Sequence, residues 1–192
     1  MNAMMKHVVA AAMVAAAVGV TPAEAASGQR MAEGPKPETL VVADVGLHVV
    51  NVGLTRLVTR HLAWGASAGL HGTWSQTINA LGVSGSAEHV DVVGAVLRGR
   101  LMWFPGERFS GLWLGPFAQA GAARIRDDRA TADSHVGGVY AFGAVVGYSW
   151  WLGAAERWQI AAGLGVQFHG ATGEPGYARL YPHIDAMVSY RL

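Results

Sequence analysis

The chain has 192 residues, enough for one domain, and 52% of them are hydrophobic while only 14% are charged. Soluble domains usually carry about a quarter of charged residues, whereas lysine occurs here only as Lys6 and Lys36. The net charge of +1 does not predict a basic stripe for nucleic acid. Because cysteine is absent, disulfides and thiolate metal sites are excluded.

The N-terminal residues have the features of a secretory signal peptide. Lys6 is followed by an apolar run over residues 8–20, and Ala25 and Ala26 end a small-x-small cleavage pattern. The run is shorter than a membrane-spanning helix requires. We therefore expect three segments: a signal peptide over 1–25 with cleavage near Ala25/Ala26, a flexible periplasmic lead-in over 26–38, and one barrel domain over 39–192.

From residue 40 onward, apolar residues recur at every second position in segments of strand length. These segments are Leu40–Val50, Val52–Thr59, Leu62–Ser75, Val90–Trp103, Val136–Trp151, Trp158–His169 and Arg179–Leu192. With a further strand around Pro116, the pattern predicts about eight antiparallel strands. Tight turns at 105–108 and 152–156 alternate with longer polar connections at 76–88, 124–135 and 170–178, as in membrane barrels. The first hairpin has the shortest connection.

The composition of the two strand faces distinguishes a membrane barrel from a soluble sandwich or ligand-binding barrel. In the segment from Trp158, the residues Ile160 and Leu164 share one face, while Gly163 and Gln167 lie on the other. A soluble barrel places bulky apolar residues inside and charges outside. Small, weakly polar residues suit a narrow lumen, and bulky apolar residues suit a face in contact with lipid. The pattern predicts an all-β, up-and-down transmembrane barrel.

Aromatic residues lie near the ends of the expected strands, where rings favour the headgroup region of a membrane. All seven tryptophans share this position: Trp64, Trp74, Trp103, Trp113, Trp150, Trp151 and Trp158. Phe168 and Tyr190 also lie towards strand ends. We expect lipid-facing or girdle positions for Trp64, Trp74, Trp103, Trp150, Trp158, Phe168 and Tyr190.

The last segment alternates Ile184, Val188, Tyr190 and Leu192, and in this it resembles the C-terminal strand of eight-stranded OmpA/OmpX-type outer-membrane barrels and related uncharacterised bacterial families. The resemblance covers roughly residues 40 to 192 and is one of pattern. It implies an exported protein of the Gram-negative outer membrane. It also implies three partners: outer-membrane lipid, lipopolysaccharide, and the assembly machinery that binds the C-terminal strand. Leu192 replaces the usual terminal phenylalanine.

Two prolines and several charges lie within the expected strands. Proline removes a ladder donor, so we expect a bulge or a strand end at Pro116 and at Pro182. Alternation places a set of polar side chains in the lumen: Asp44, His48, Arg98, Arg100, His183, Asp185 and Arg191. Because a buried charge must be paired, we expect the three arginines to meet the two aspartates as a polar plug. The alternative is a narrow, gated pore.

Other residues allow further hypotheses. Some outer-membrane barrels hydrolyse lipid A with a His/Ser pair, for which His169 with Ser75 or Ser84 is a candidate, and His71, His169 and His183 could bind a metal. Parity places His169 inward, so we expect no catalytic residue, metal or cofactor. Arginines of the 124–135 loop could bind lipopolysaccharide phosphates; its aspartates lack the spacing of a calcium loop. We expect a non-enzymatic barrel with a structural or surface-interaction role; the alternatives are a lipid A hydrolase, a minor pore or a soluble periplasmic barrel.

Overall fold

The computed structural model describes residues 38–72, 90–106, 109–127 and 134–192. Eight strands follow one another: β1 Thr39–Gly46, β2 Val49–Leu57, β3 Leu62–Gly72, β4 Val90–Trp103, β5 Gly111–Asp127, β6 Ser134–Leu152, β7 Trp158–Ala171 and β8 Glu174–Arg191. No helix in these ranges is long and apolar enough to cross a membrane. The predicted signal peptide, almost all of the lead-in, Trp74, Ser75 and Ser84 lie outside the described residues.

The strands form a closed antiparallel barrel in which each strand pairs with its neighbours in the sequence and β8 pairs with β1. The predicted fold class is confirmed. Following the paired residues once around the barrel from Ser189 leads back to β8 at Arg179, ten residues away. This stagger belongs to strands tilted by about 40° around an interior that side chains can fill.

The alternation in the sequence becomes an apolar outside and a mixed inside. On β7, Ile160 and Leu164 are exposed, while Gln159, Ala161 and Gln167 are buried in the lumen. The same inversion recurs on the other strands, so most large apolar side chains lie on the outer face. The interior also holds large rings, and glycines make room for them. A Cβ on Gly147 or Gly163 would press into the ring of Trp113, which is fully buried.

Two connections differ from the sequence expectation. The first hairpin turns at Leu47 and His48, three to four residues earlier than predicted, because His48 packs inward and the apolar run around it gives no turn signal. The expected polar loop over 170–178 is also wrong. Thr172 and Gly173 make a tight turn, with Gly173 at φ 87° and the Thr172 hydroxyl accepting the Gly138 amide, and β8 begins directly after it.

The expectation for Pro116 is wrong, because this residue continues its strand. Its pairing with β6 is unbroken, and the register with β4 is the same on both sides of it. Pairing with β4 is interrupted only opposite Leu101 and Met102, as expected where an amide donor is missing. The register shift between β7 and β8 lies instead between His169 and Ala171.

The barrel wall is lower at the first hairpin than elsewhere. β1 has 8 residues and β2 has 9, whereas β6 has 19 and β8 has 18. Within the described chain, the first part of β8, from Glu174 to residue 184, therefore has no paired strand on the β1 side. The amide of Leu192 bonds Thr39 of β1, and amides alternate along an antiparallel strand. Pro182 is also even-numbered, so the amide donor that it lacks would have faced the β1 side, where β8 has no described partner. The pairing with β7 therefore continues past Pro182, and the strand does not end there.

Candidate functional site

The middle of the lumen holds a cluster of buried charges from β1, β4 and β8. Asp185 lies 2.5 Å from the Arg100 guanidinium, 3.3 Å from that of Arg98 and 3.0 Å from His183 Nε2. Asp44 lies 3.5 Å from Arg98. Two arginines and two carboxylates therefore meet with little exposure to water. Strand alternation directs these side chains inward, and the closure of β8 on β1 brings their strands together.

Neutral polar side chains extend the cluster to both sides. Asn51 donates to Asp44 over 2.9 Å, and Arg98 Nε donates to Gln119 over 3.1 Å. Gln119 in turn lies 3.4 Å from His71 Nδ1. The sequence interpretation missed Asn51, because residue 51 lay in the expected turn between the first two strands. It also missed Gln119, because the expected strand around Pro116 had no defined bounds and so no assigned inner face.

Arg191 does not join the cluster, contrary to the expectation. Its guanidinium lies 3.4 Å from Glu38 and 4.1 Å from the centre of the Trp151 ring, at the end of the barrel where the chain ends. The reason is position along the strand, because Arg191 lies six residues beyond Asp185 on β8. The pairing with Glu38 joins the first described residue of the chain to the last strand.

Beyond the charges lies a group of histidine and tyrosine rings. His169 stacks on Tyr177 at 4.7 Å and on Tyr181 at 4.6 Å, with His48 edge-on at 5.3 Å. The Tyr177 hydroxyl is 3.1 Å from His71 Nε2. Packed rings, rather than an open vestibule, therefore fill this part of the lumen.

Phenylalanines close the lumen at the end where β1 begins and β8 ends. Phe104 and Phe109 come from the β4–β5 connection and fold back into the barrel, where their rings meet edge-on at 5.7 Å. Phe109 has a positive φ of 56°, a conformation that costs about 1 kcal/mol or more in a non-glycine residue. Hydrogen bonds from Ser149 and Gln159 to its carbonyl hold it there. The sequence predicted only a tight turn here.

The outer face carries aromatic rings at the end of the barrel where β1 begins and β8 ends. Trp64, Trp103, Trp150 and Trp158 are exposed on this face, and Tyr190 packs against Trp158 at 5.0 Å. Phe168 lies toward the opposite end, 5.3 Å from Phe142 and 6.4 Å from Tyr140. Two further tryptophans near strand ends, which were not among the expected girdle positions, lie on the lumen side: Trp113 and Trp151. Their position near a strand end could not distinguish the two faces.

The opposite end of the barrel carries arginines on strands rather than on a loop. β5 continues to Asp127 and β6 begins at Ser134, so half of the expected 124–135 loop is strand. Arg124 and Arg126 are exposed on the outer face of β5. The Arg124 Nε donates to the Ser134 hydroxyl over 3.0 Å.

The residues considered for catalysis or metal binding are placed as follows. His169 lies inside the barrel among aromatic rings, whereas the hydrolase hypothesis needs a bilayer-facing histidine. His183 is separated from this group by its contacts with Asp185 and Phe117. Among the described residues, no three histidine or acidic side chains are arranged to hold a metal ion.

No family model matches the sequence, and no curated protein matches it. Among solved structures, the barrel is similar to a major outer membrane protein from Thermus thermophilus, with 13% identity and a TM-score of 0.48. That alignment covers 82% of this chain and 100% of the other. We base the function on the geometry of the barrel itself.

Proposed function

We propose that this protein is a non-enzymatic barrel of the bacterial outer membrane, with a plugged lumen and a structural or surface-interaction role. The observation that carries the proposal is the inversion of polarity, with buried charges inside and an apolar surface outside. In water this arrangement would leave the apolar outer face exposed to solvent, at a cost in free energy, whereas the charges inside are buried and paired in either environment. In a bilayer it satisfies both faces.

The outer face of β5 shows that the apolar surface has the height of a bilayer. From Leu112 to Ala122 the outward residues are all uncharged and exposed, and Arg124 is the next one. Ten residues at about 3.3 Å each, tilted by about 40°, span about 25 Å along the barrel axis. The apolar band of outer-membrane barrels is about 25 Å tall. The soluble-barrel alternative is therefore disfavoured.

The lumen supports a plug rather than a conducting path. A solute entering along the axis would meet three layers in turn: the stacked rings around His169, the charges around Asp185, and the phenylalanines around Phe109. A cavity of about 20 Å³ beside Arg98 and Arg100 has the volume of about one water molecule. The plug favours a structural role over the minor pore.

The same proposal assigns partners to the two ends of the barrel. The end of the barrel where β1 begins and β8 ends would face the periplasm, where the alternating outward residues of β8, ending at Leu192, would contact the assembly machinery. The opposite end, which carries the connections over 73–89 and 128–133 as well as the two tight turns after β1 and β7, would face the cell exterior and would be the surface for interactions.

A fluorescence experiment tests the membrane assignment with a matched pair of tryptophans. Trp103 and Trp113 flank the β4–β5 connection, but Trp103 is 45% exposed on the outer face while Trp113 is 0% exposed in the lumen. In vesicles containing brominated lipids, W103F should reduce the fraction of quenchable fluorescence, and W113F should leave the quenched emission in place. A protein that fails to float with vesicles and shows no heat-dependent gel shift would contradict the membrane proposal.

A conductance experiment tests the plug separately. The wild-type protein, inserted into planar bilayers and shown by its gel shift to be folded, should give no steady current. Steady channels of the folded wild type would support the minor-pore alternative instead.

A further inference from the structure

Arg124 stands at the outer border of the apolar band. It is the first charged residue above the uncharged outward series of β5. Its register partners are Val93 on β4 and Val136 on β6, both exposed on the same outer face. The guanidinium is thus attached to the surface that meets lipid, at the height where headgroup phosphates lie.

The charge of Arg124 is not balanced within the described chain. Asp91 lies directly opposite Arg126 in the register, and opposite charges at that position compensate each other. Arg124 has valines at both equivalent positions, and its contact with Ser134 uses only Nε. No described acidic side chain pairs with Arg124, so its two terminal nitrogens are available to an external anion.

The surface directly below this cation can receive acyl chains. Ala118, Ala120 and Ala122 are exposed along β5, and the larger side chains of Leu97 and Tyr140 flank Ala120 on either side. Ala120 lies between these larger side chains, and Ala118 and Ala122 extend the low surface along β5 beneath the guanidinium. The resulting shallow track is tilted from the membrane normal by about 40°, like the strand. A ligand that fits must carry an anion at its top and hydrocarbon below it.

We propose that this face of β4–β6 binds lipid A, with Arg124 contacting a phosphate and an acyl chain lying over Ala118–Ala122. The inference rests on the proposed membrane function. Lipid A is the occupant because Arg124 lies at the end opposite the start of β1 and the end of β8, which that function places in the outer leaflet. An arginine can donate two parallel hydrogen bonds to a phosphate.

The test measures binding of diphosphorylated lipid A to the folded protein in nanodiscs, with Arg124→Gln, Arg124→Lys and a matched control. Arg56→Gln is the control, because Arg56 is also exposed on the outer face but lies beside Trp64 at the opposite end. We expect Arg124→Gln to weaken binding about tenfold, the scale of one charge-assisted contact. Arg124→Lys should retain most of the affinity, and Arg56→Gln should not change it.

Competing ligands identify what is recognised. Dephosphorylated lipid A should bind wild type about as weakly as diphosphorylated lipid A binds the Gln variant; phosphatidylglycerol and inorganic phosphate should not displace diphosphorylated lipid A. Three results would overturn the lipid A site. Wild type and Arg124→Gln could bind diphosphorylated lipid A equally well, or Arg56→Gln could lose as much affinity as Arg124→Gln. Inorganic phosphate or phosphatidylglycerol could also displace the bound lipid A. These results would leave the membrane function intact if the variants still float with vesicles and keep the heat-dependent gel shift. Failure of wild type in both of those assays would instead refute the membrane function.

Discussion

Replacing Asp185 by asparagine should be among the most damaging single changes of charge in this barrel. The substitution keeps the size of the side chain and removes one negative charge that faces Arg98, Arg100 and His183 within 3.3 Å. Among the described carboxylates of the cluster, Asp44 alone would then remain to balance the two buried guanidinium groups. Asp44 contacts Arg98 at 3.5 Å. Removing one partner of a buried ion pair costs about 3–5 kcal/mol, and we expect Asp185→Asn to lie in that range.

Two further variants separate this effect from a general sensitivity of the lumen. Asp44→Asn should cost about 1–3 kcal/mol, because Asp44 has one longer ionic contact and a neutral hydrogen bond from Asn51. The double variant Asp185→Asn/Arg100→Met should lose less than the sum of its single changes, since both halves of the closest pair are removed. The assay is urea unfolding in lipid vesicles, followed by tryptophan emission and the heat-dependent gel shift. A loss below about 1 kcal/mol for Asp185→Asn, the scale of an exposed ion pair rather than a buried one, would refute the reasoning.

Two smaller changes test packing and surface charge by the same unfolding assay. Gly147→Ala should destabilise the barrel by about 1–3 kcal/mol, because the added Cβ would press into the buried Trp113 ring. The control Gly99→Ala should be neutral or slightly stabilising, since no atom lies within 4 Å of the added carbon. Equal effects of the two substitutions on stability would contradict this account of the lumen. Glu38→Gln should cost less than about 1 kcal/mol, since its contact with Arg191 is partly exposed to solvent, and a loss as large as that of Asp185→Asn would show that this contact closes the barrel.

The architecture was predictable because a narrow barrel imposes a period of two on every strand. Each spanning segment keeps bulky and small residues on opposite faces, so parity alone assigns Arg98 and Asp185 to the same lumen. Parity does not give the height of a residue on one strand relative to a residue on another, since that height depends on the register between the strands. Parity also ignores height along a single strand: Arg191 shares the parity of Asp185 but lies six residues further along β8, so it meets Glu38 instead.

Turns and apolar contents of the lumen were less predictable, because local composition does not determine them. The glycine-rich stretch after His169 has the composition of a loop, yet only Thr172 and Gly173 form the turn. Trp113 lies near a strand end, where both a membrane belt and a lumen filler are plausible on sequence grounds. What decides its face is the space left by Gly147 and Gly163 on neighbouring strands, which becomes visible only once the register is known.

The low wall at the first hairpin bears on how the barrel avoids unwanted association. An uncovered strand edge is a template on which another extended chain can add, and a membrane concentrates many copies in one plane. Within the described chain, the part of β8 beyond Asp185 is such an edge on the β1 side. Pro182 removes a donor there, so an added strand would lack a rung of its ladder. A proline that weakens folding elsewhere thus protects this edge against aggregation and strand exchange.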